Sequence, residues 1–375
     1  MTMTDFSSLA VAGVQALRPY EPGKPVETLE RELGIREAVK LASNENPLGP
    51  SPKAVAAMQA ALGGVHIYPD GNGFALKQAL ADRHRASPAQ ITLGNGSNEI
   101  LELVARAWLA PGRSAVFSRH AFAVYPLVVQ AVSADARVAE ALPAGADQPF
   151  GHDLGAMAAL VDESTRVVFI ANPNNPTGTW VGGAELEAFV AGVPAQTLVV
   201  VDEAYAEYVE VADYPDTTQW VARFPNLIVT RTFSKIHGLA GLRLGYSVSS
   251  EPVAELLNRV RQPFNVNTLA QAAGLAALGD PGHVERSARV NREGLRQLEA
   301  GLRERGLDFI PSVGNFLTFD VRQPPGPVYE RLLRQGVIVR PVVNYGLPTQ
   351  LRVTVGRAEE NARFLQALDA VLAAA

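Results

Sequence analysis

The stretch Leu198-Val199-Val200-Val201-Asp202-Glu203-Ala204-Tyr205 runs four apolar residues straight into two acids. A strand with one wet face alternates apolar and polar positions, whereas an unbroken Leu/Val run suits a strand covered on both faces. The acid that ends such a run falls at the carboxyl edge of a sheet, where loops commonly carry ligand groups. The same pattern recurs at Ala115–Phe117, Val167–Ile170, Leu227–Thr230 and Leu244–Val248, and Ile91–Leu93 enters a glycine turn. Helical spacing lies between several of these runs, as in Glu99 to Leu109, which Pro111-Gly112 closes. The prediction is an α/β fold built on a mostly parallel sheet with crossover helices.

Upstream, Ser51-Pro52 reads as an N-cap with proline in the first turn, and Gly63-Gly64 stops the helical run that follows. The proline-rich segment from Arg18 to Pro25 reads as an extended arm, followed by a short helix over Val26 to Leu33 that Gly34 ends. After residue 262 the character changes. A helix over Asn267 to Leu278 and a charged amphipathic stretch from Val284 to Arg305 precede strand candidates Asn315–Phe319, Val337–Val339 and Leu351–Val355. Helical patterns at Pro327–Arg334 and Ala358–Ala373 flank those strands. The expected division is an arm with a small-domain segment over 1–45, a large domain over 46–265 and a small α+β domain over 266–375.

Composition narrows the functions. Lys and Arg total 33 against 38 Asp and Glu, a balance without the basic excess of a dedicated nucleic-acid binder. There is no cysteine, which excludes disulfides and thiolate-held clusters, and the six histidines show no tight ligand spacing, so no metal site is expected. No apolar run approaches membrane-spanning length, and Met1 to Leu9 has no signal-peptide pattern; a cytoplasmic protein without a membrane partner is the expectation.

Several polar clusters follow the strands. Asn172-Pro173-Asn174-Asn175-Pro176-Thr177-Gly178 makes a rigid turn, either an ordinary tight connection or one that presents Asn175 as a neutral donor. Asp202 either caps the next segment or holds a pyridine nitrogen protonated, with Tyr205 three positions on to reach a ring substituent. In Thr230-Arg231-Thr232-Phe233-Ser234-Lys235, the lysine after a buried strand pattern is either a solvated surface group, as most lysines are, or an amine kept from water that can form an imine with an aldehyde cofactor and carry a proton. Thr232 and Ser234 add hydroxyls and Arg243 a second cation, with Gly238 and Gly241 between. Gly94-Asn95-Gly96-Ser97-Asn98 opens a helix and reads as a plain cap or as an anion cradle. It is neither a dinucleotide fingerprint nor a triphosphate loop.

Taken together, these pieces resemble the fold-type I aminotransferases dependent on pyridoxal phosphate. The spacings support the likeness: 27 residues from Asn175 to Asp202 and 33 from Asp202 to Lys235. That resemblance implies a large, mostly parallel seven-stranded sheet domain with a smaller α+β domain, and pyridoxal 5'-phosphate as cofactor. It implies Lys235 as the lysine joined to the cofactor, Asp202 opposite the pyridine nitrogen, and Asn175 with Tyr205 near the ring hydroxyl. It gives Ser97, Asn98, Thr232, Ser234 and Arg243 to the cofactor phosphate and Phe122 to the face of the ring.

A narrower likeness is to the histidinol-phosphate aminotransferase family. It rests on Leu17-Arg18-Pro19-Tyr20 with Pro22-Gly23-Lys24-Pro25, on Leu41-Ala42-Ser43-Asn44-Glu45-Asn46-Pro47, and on Tyr68-Pro69-Asp70-Gly71. Gly336-Val337-Ile338-Val339-Arg340 and Leu351-Arg352-Val353-Thr354-Val355-Gly356 extend it to the tail. By that likeness Arg340 and Arg352 face the anionic end of the substrate, with Asn315 nearby and Tyr20 closing the pocket. Tyr68 then reaches the cofactor phosphate of a neighbouring subunit in a homodimer with shared sites. The implied reaction is transamination of L-histidinol phosphate with 2-oxoglutarate. Aromatic amino-acid transamination stands as an alternative, because Arg352 suits a carboxylate as well as a phosphate, and a decarboxylase or lyase shares the same anchors.

Overall fold

The computed structural model describes residues 4–20 and 23–373. Glu21 and Pro22 of the arm motif, like Met1–Met3 at the start, lie outside the described residues. A seven-stranded sheet forms the larger part, in the order Ile91–Gly94, Gly245–Ser249, Leu227–Thr232, Leu198–Asp202, Thr165–Ala171, Ser114–Ser118 and Asp135–Ala139. All neighbours pair in parallel except Gly245–Ser249, which is antiparallel to both of its partners.

The continuous apolar runs are explained by two cores. Val199 and Val201 enter one cluster while Leu198 and Val200 enter the other; Val168 and Ile170 likewise oppose Val167 and Phe169. Alternate residues of one strand point to opposite faces, so both faces must be apolar when helices cover both. Leu198–Asp202 is buried at every position, which leaves ligand access only at its end.

The strand Asp135–Ala139 was not expected from the sequence. It is an edge strand whose first two residues are exposed, so Ser133-Ala134-Asp135-Ala136-Arg137 carries none of the apolar continuity that marks the central strands. The 24-residue helix Pro281–Glu304 leads to the smaller unit, an antiparallel sheet ordered Arg340–Pro341, Gln350–Thr354, Phe316–Asp320 and Phe309–Ile310. Helices Pro325–Arg334 and Ala358–Ala373 share its core, with Leu298, Leu302, Phe319, Leu332, Val353 and Phe364 all buried. Thr268–Leu278 packs instead against Pro52–Ala61, and its Ala270, Ala273 and Ala277 belong to the core of the large sheet. Val39–Lys40 pairs in parallel with Val337–Ile338 and so fastens the N-terminal segment to the smaller unit. That pairing holds residues 42–44 over the carboxyl ends of the large sheet's strands.

Candidate active site

One cavity of about 320 Å³ opens at the carboxyl ends of the central strands. Its wall includes Lys235, Asp202, Tyr205, Asn175, Phe122, Ser97, Asn98, Thr232, Ser234, Arg243, Tyr20, Arg340 and Arg352. Of the residues singled out in the sequence, Tyr68 and Asn315 do not line it. Tyr68 is 79% exposed and stacks on Phe264 with ring centroids 4.7 Å apart. Asn315 is buried behind the cavity, where its Nδ2 donates to the Asn44 carbonyl at 3.0 Å.

At one end of the cavity, the helix Ser97–Trp108 begins after Gly96, whose φ is 84°. Helix starts leave N–H groups unpaired and so favour anions. A Cβ on Gly96 would stand 2.5 Å from Arg243 Nη2, and one on Gly245 would stand 2.3 Å from the Ser97 nitrogen. At Gly245 the clash is with backbone, so only glycine lets those two segments approach so closely, and at Gly96 the positive φ makes the same demand. Arg243 Nη1 also reaches Ser234 Oγ at 3.4 Å, and the Ser234 N–H donates to Thr232 Oγ1 at 3.1 Å. A cation, several hydroxyls and a helix start therefore converge, an arrangement that favours an anion.

Asp202 is buried and held by two hydroxyls. Thr230 Oγ1 donates to its Oδ1 at 2.9 Å and Tyr125 Oη to its Oδ2 at 3.1 Å. Burial pushes its pKa up to about 6, against the opposing effect of Thr230, Tyr125 and Lys235. A cationic ring N–H in the cavity would add the charge partner that favours the anion. Lys235 follows the next strand over, and its Nζ donates to the Ser43 carbonyl at 3.1 Å. Burial, then the charges of Arg352 and Arg243, bring its pKa down to about 7, with Glu45 and Asp202 opposing. The amine is thus substantially neutral and nucleophilic near neutral pH, as imine formation requires.

In the turn from Asn172 to Gly178, two asparagines serve the backbone. Asn172 exchanges bonds with the Val181 backbone at 2.9 and 3.1 Å, and Asn174 Nδ2 donates to the His120 carbonyl at 3.0 Å. Of the three asparagines in the turn, Asn175 is the one that lines the cavity, with Oδ1 accepting from Arg352 Nη1. Arg352 Nη2 donates to the Ala42 carbonyl at 2.6 Å, and its buried Nε has no hydrogen-bond partner among the described residues. No carboxylate of the chain pairs with this guanidinium among the described residues. It is a buried cation available to an anionic substrate. The Arg340 guanidinium lies 5.5 Å over the Tyr20 ring at the same mouth.

Sequence reasoning missed Tyr125, Thr230 and Asn44 as parts of this site. Tyr125 sits in the apolar run Val124-Tyr125-Pro126-Leu127 and stacks on Phe169 at 4.9 Å, so its pattern is that of a core aromatic. Thr230 ends the apolar run of the strand Leu227–Thr232, and the signal for it is its register opposite Asp202. Among the described residues no group of histidines and acids is placed to hold a metal ion, and no helix is long and apolar enough to cross a membrane.

With this geometry in hand, comparison with known proteins identifies the family. The profile for aminotransferase class I and II matches residues 36–368, and the chain belongs to that family. It is 60% identical over 373 residues to a histidinol-phosphate aminotransferase of Pseudomonas aeruginosa, covering 99% of this chain and 100% of that one. A histidinol-phosphate aminotransferase of Methylococcus capsulatus is 58% identical over 366 residues, 98% of this chain and 99% of its own. Among solved structures, the histidinol-phosphate aminotransferase of Sinorhizobium meliloti in complex with pyridoxal-5'-phosphate superposes with a TM-score of 0.88 at 28% identity, over 97% of each chain.

Proposed function

We propose that this chain transfers the amino group of L-histidinol phosphate to 2-oxoglutarate, giving imidazole acetol phosphate and L-glutamate, with pyridoxal 5'-phosphate as cofactor. The observation that carries the reading is a single cavity lined by a depressed-pKa lysine, a buried carboxylate and a phosphate cradle. The names of relatives near 60% identity select the substrate.

The residues present fit that cofactor. The close approach at Gly96 leaves a cradle of Ser97, Asn98, Thr232, Ser234 and Arg243 for its phosphate. Phe122 offers an apolar wall for the ring, Asn175 and Tyr205 neutral groups for the ring oxygen, and Asp202 an anion for the ring nitrogen. The cofactor supplies an aldehyde that takes up the amino group and a conjugated ring that accepts the electron pair of the broken C–H bond.

The chain's own groups do the rest. Lys235 Nζ lines the cavity where the substrate amine would sit and would act as the base and acid that moves the proton of the substrate carbon. Burial keeps that amine able to accept a proton near neutral pH. Asp202 holds the ring-nitrogen proton and so strengthens the electron sink. Arg340 and Arg352 bind the anionic end of the substrate; on the return half-reaction Arg352 clamps a 2-oxoglutarate carboxylate. The net exchange balances: one amine becomes a ketone, one keto acid becomes an amino acid, and water enters and leaves once.

Two arginines at one mouth favour a dianionic phosphate over the aromatic amino-acid alternative, against which the relatives' names also weigh. A cytoplasmic homodimer belongs to the same proposal: Tyr68, exposed and away from its own cavity, is available to a second copy's phosphate cradle. The test compares rates with histidinol phosphate, phenylalanine and tyrosine, each with 2-oxoglutarate. Preference for histidinol phosphate is expected, and equal or higher kcat/KM for the aromatic acids would overturn the substrate.

A further inference from the structure

Asn44 is buried with φ at 56°, a left-handed conformation that asparagine tolerates better than most residues. Its hydrogen bonds fix the direction of every proton around it. The Asn44 backbone N–H donates to Thr354 Oγ1 at 2.9 Å, which leaves the threonine proton to go to Asn44 Oδ1 at 3.1 Å. With Oδ1 so occupied, the side-chain NH₂ is the group that meets Tyr205, and it donates to the phenol oxygen at 2.9 Å. The Asn44 carbonyl accepts from Asn315, so both neighbours from the smaller unit hold this one residue.

A phenol has one proton to give. Among the described residues, the bond from Asn44 is the only one the Tyr205 hydroxyl makes, and that bond uses an oxygen lone pair. Phe316 meets the Tyr205 ring edge-on at 5.2 Å and 72° and limits its swing. The phenol proton is left for the cavity that Tyr205 lines.

We infer that Asn44 is a positioning residue that aims the Tyr205 proton at the ring oxygen of the bound cofactor, an inference that rests on the function proposed above. Donation into the phenol oxygen polarises its O–H and makes it a stronger donor in turn. A stronger donor at the ring oxygen stabilises that oxygen's anion and lowers the proton affinity of the nitrogen joined to Lys235. The charged and titratable groups facing Tyr205 are Arg352 from Gln350–Thr354, Tyr345 from the turn before it, Asp202 from its own strand's end and Lys235, whose Nζ is 5.7 Å from the ring centroid. Among the described residues none of these groups hydrogen-bonds Asn44, whose partners are Tyr205, Thr354 and Asn315.

The test is the pH midpoint of the visible absorbance of cofactor joined to Lys235, measured without substrate. Asn44→Gly removes the amide while keeping a residue at ease in the left-handed conformation. Its midpoint should rise by roughly half to one pH unit, the worth of one hydrogen bond. Tyr205→Phe should move the midpoint at least as far, and the double variant no further than Tyr205→Phe alone. Thr354→Val removes both the donor to Asn44 Oδ1 and the acceptor of the Asn44 N–H, which loosens the amide while leaving it in place, and should give a smaller rise that vanishes in the Tyr205→Phe background. An unchanged midpoint in Asn44→Gly, or a shift in that variant that persists undiminished when Tyr205 is phenylalanine, overturns the role of Asn44. A wild-type protein with no titrating visible band would overturn the proposed function itself and this inference with it.

Discussion

Replacing Lys235 by methionine in the cofactor-free protein should make the fold more stable, by an amount that depends on pH. Burial holds the Lys235 pKa at about 7, against 10.5 for an ordinary lysine. Between those two values the unfolded chain binds a proton that the folded chain does not, so folding releases it and stability rises with pH. The penalty near pH 8 is about 3 kcal/mol, and it falls below about 1 kcal/mol near pH 10.5. Methionine has similar length and no charge, so the variant should exceed the wild type by most of that penalty near pH 8 and converge with it as pH rises. Other groups titrate alike in both proteins and cancel. Asp202, whose partner Lys235 would be lost, titrates near 6 and acts below this window. Urea unfolding midpoints across the range, at a common m value, measure the gap. A stability gap that stays flat across the range would refute the claim that the lysine is buried neutral.

Three further outcomes follow from the same geometry. Arg340→Ala should raise KM for histidinol phosphate by about tenfold or more, with a smaller effect on phenylalanine turnover, because only the phosphate needs a second cation; equal effects on both substrates would remove Arg340 from substrate recognition. Gly96→Ala should weaken cofactor retention, since the new Cβ would displace the Arg243 guanidinium and strain a φ of 84°; an unaltered cofactor dissociation constant counts against the cradle. Tyr125→Phe keeps the stack on Phe169 but removes a donor to the Asp202 carboxylate, which raises that pKa further. Asp202 is ionised only above its pKa, so the variant should release cofactor at a higher pH than the wild type as the solution is acidified; coincident release curves would show the hydroxyl to be idle.

The central strands were readable because burial on both faces forces continuous apolar runs, and Leu198–Val201 and Val167–Ile170 have no other economical reading. Asp135–Ala139 was not, since an edge strand exposed at its start obeys no such constraint. The same contrast divides the site. Asp202 and Lys235 stand out as charges that follow apolar strand runs, whereas Arg352 is legible only through the family likeness of its motif. Tyr125 and Asn44 are neutral and lie among residues of ordinary character. Their importance comes from which hydroxyl or amide faces which oxygen across 77 and 161 residues of chain, a matter of tertiary geometry that no local pattern encodes.

The adjacent acids Asp202 and Glu203 show how one strand end separates chemistry from scaffolding. Successive residues project to opposite sides of a sheet. Asp202 and Thr230 are register partners, so the threonine hydroxyl meets the Asp202 carboxylate on the cavity side. Glu203 and Arg231, one position further on each strand, meet on the other side, where Arg231 Nη2 and Nε reach Glu203 Oε2 at 2.6 and 2.9 Å and Thr217 adds a donor. Glu203 is fully buried and Arg231 nearly so, and Asp216 and Glu207 share the guanidinium. The two acids therefore differ in what they lack. Glu203 has its cation within the chain and is satisfied by it, while among the described residues Asp202 has only hydroxyl donors and the more distant lysine. Removing Arg231 would strand a buried carboxylate and destabilise the fold. Asp202 is the acid left without a close cation of its own, and that shortage is what suits it to hold a protonated ring nitrogen.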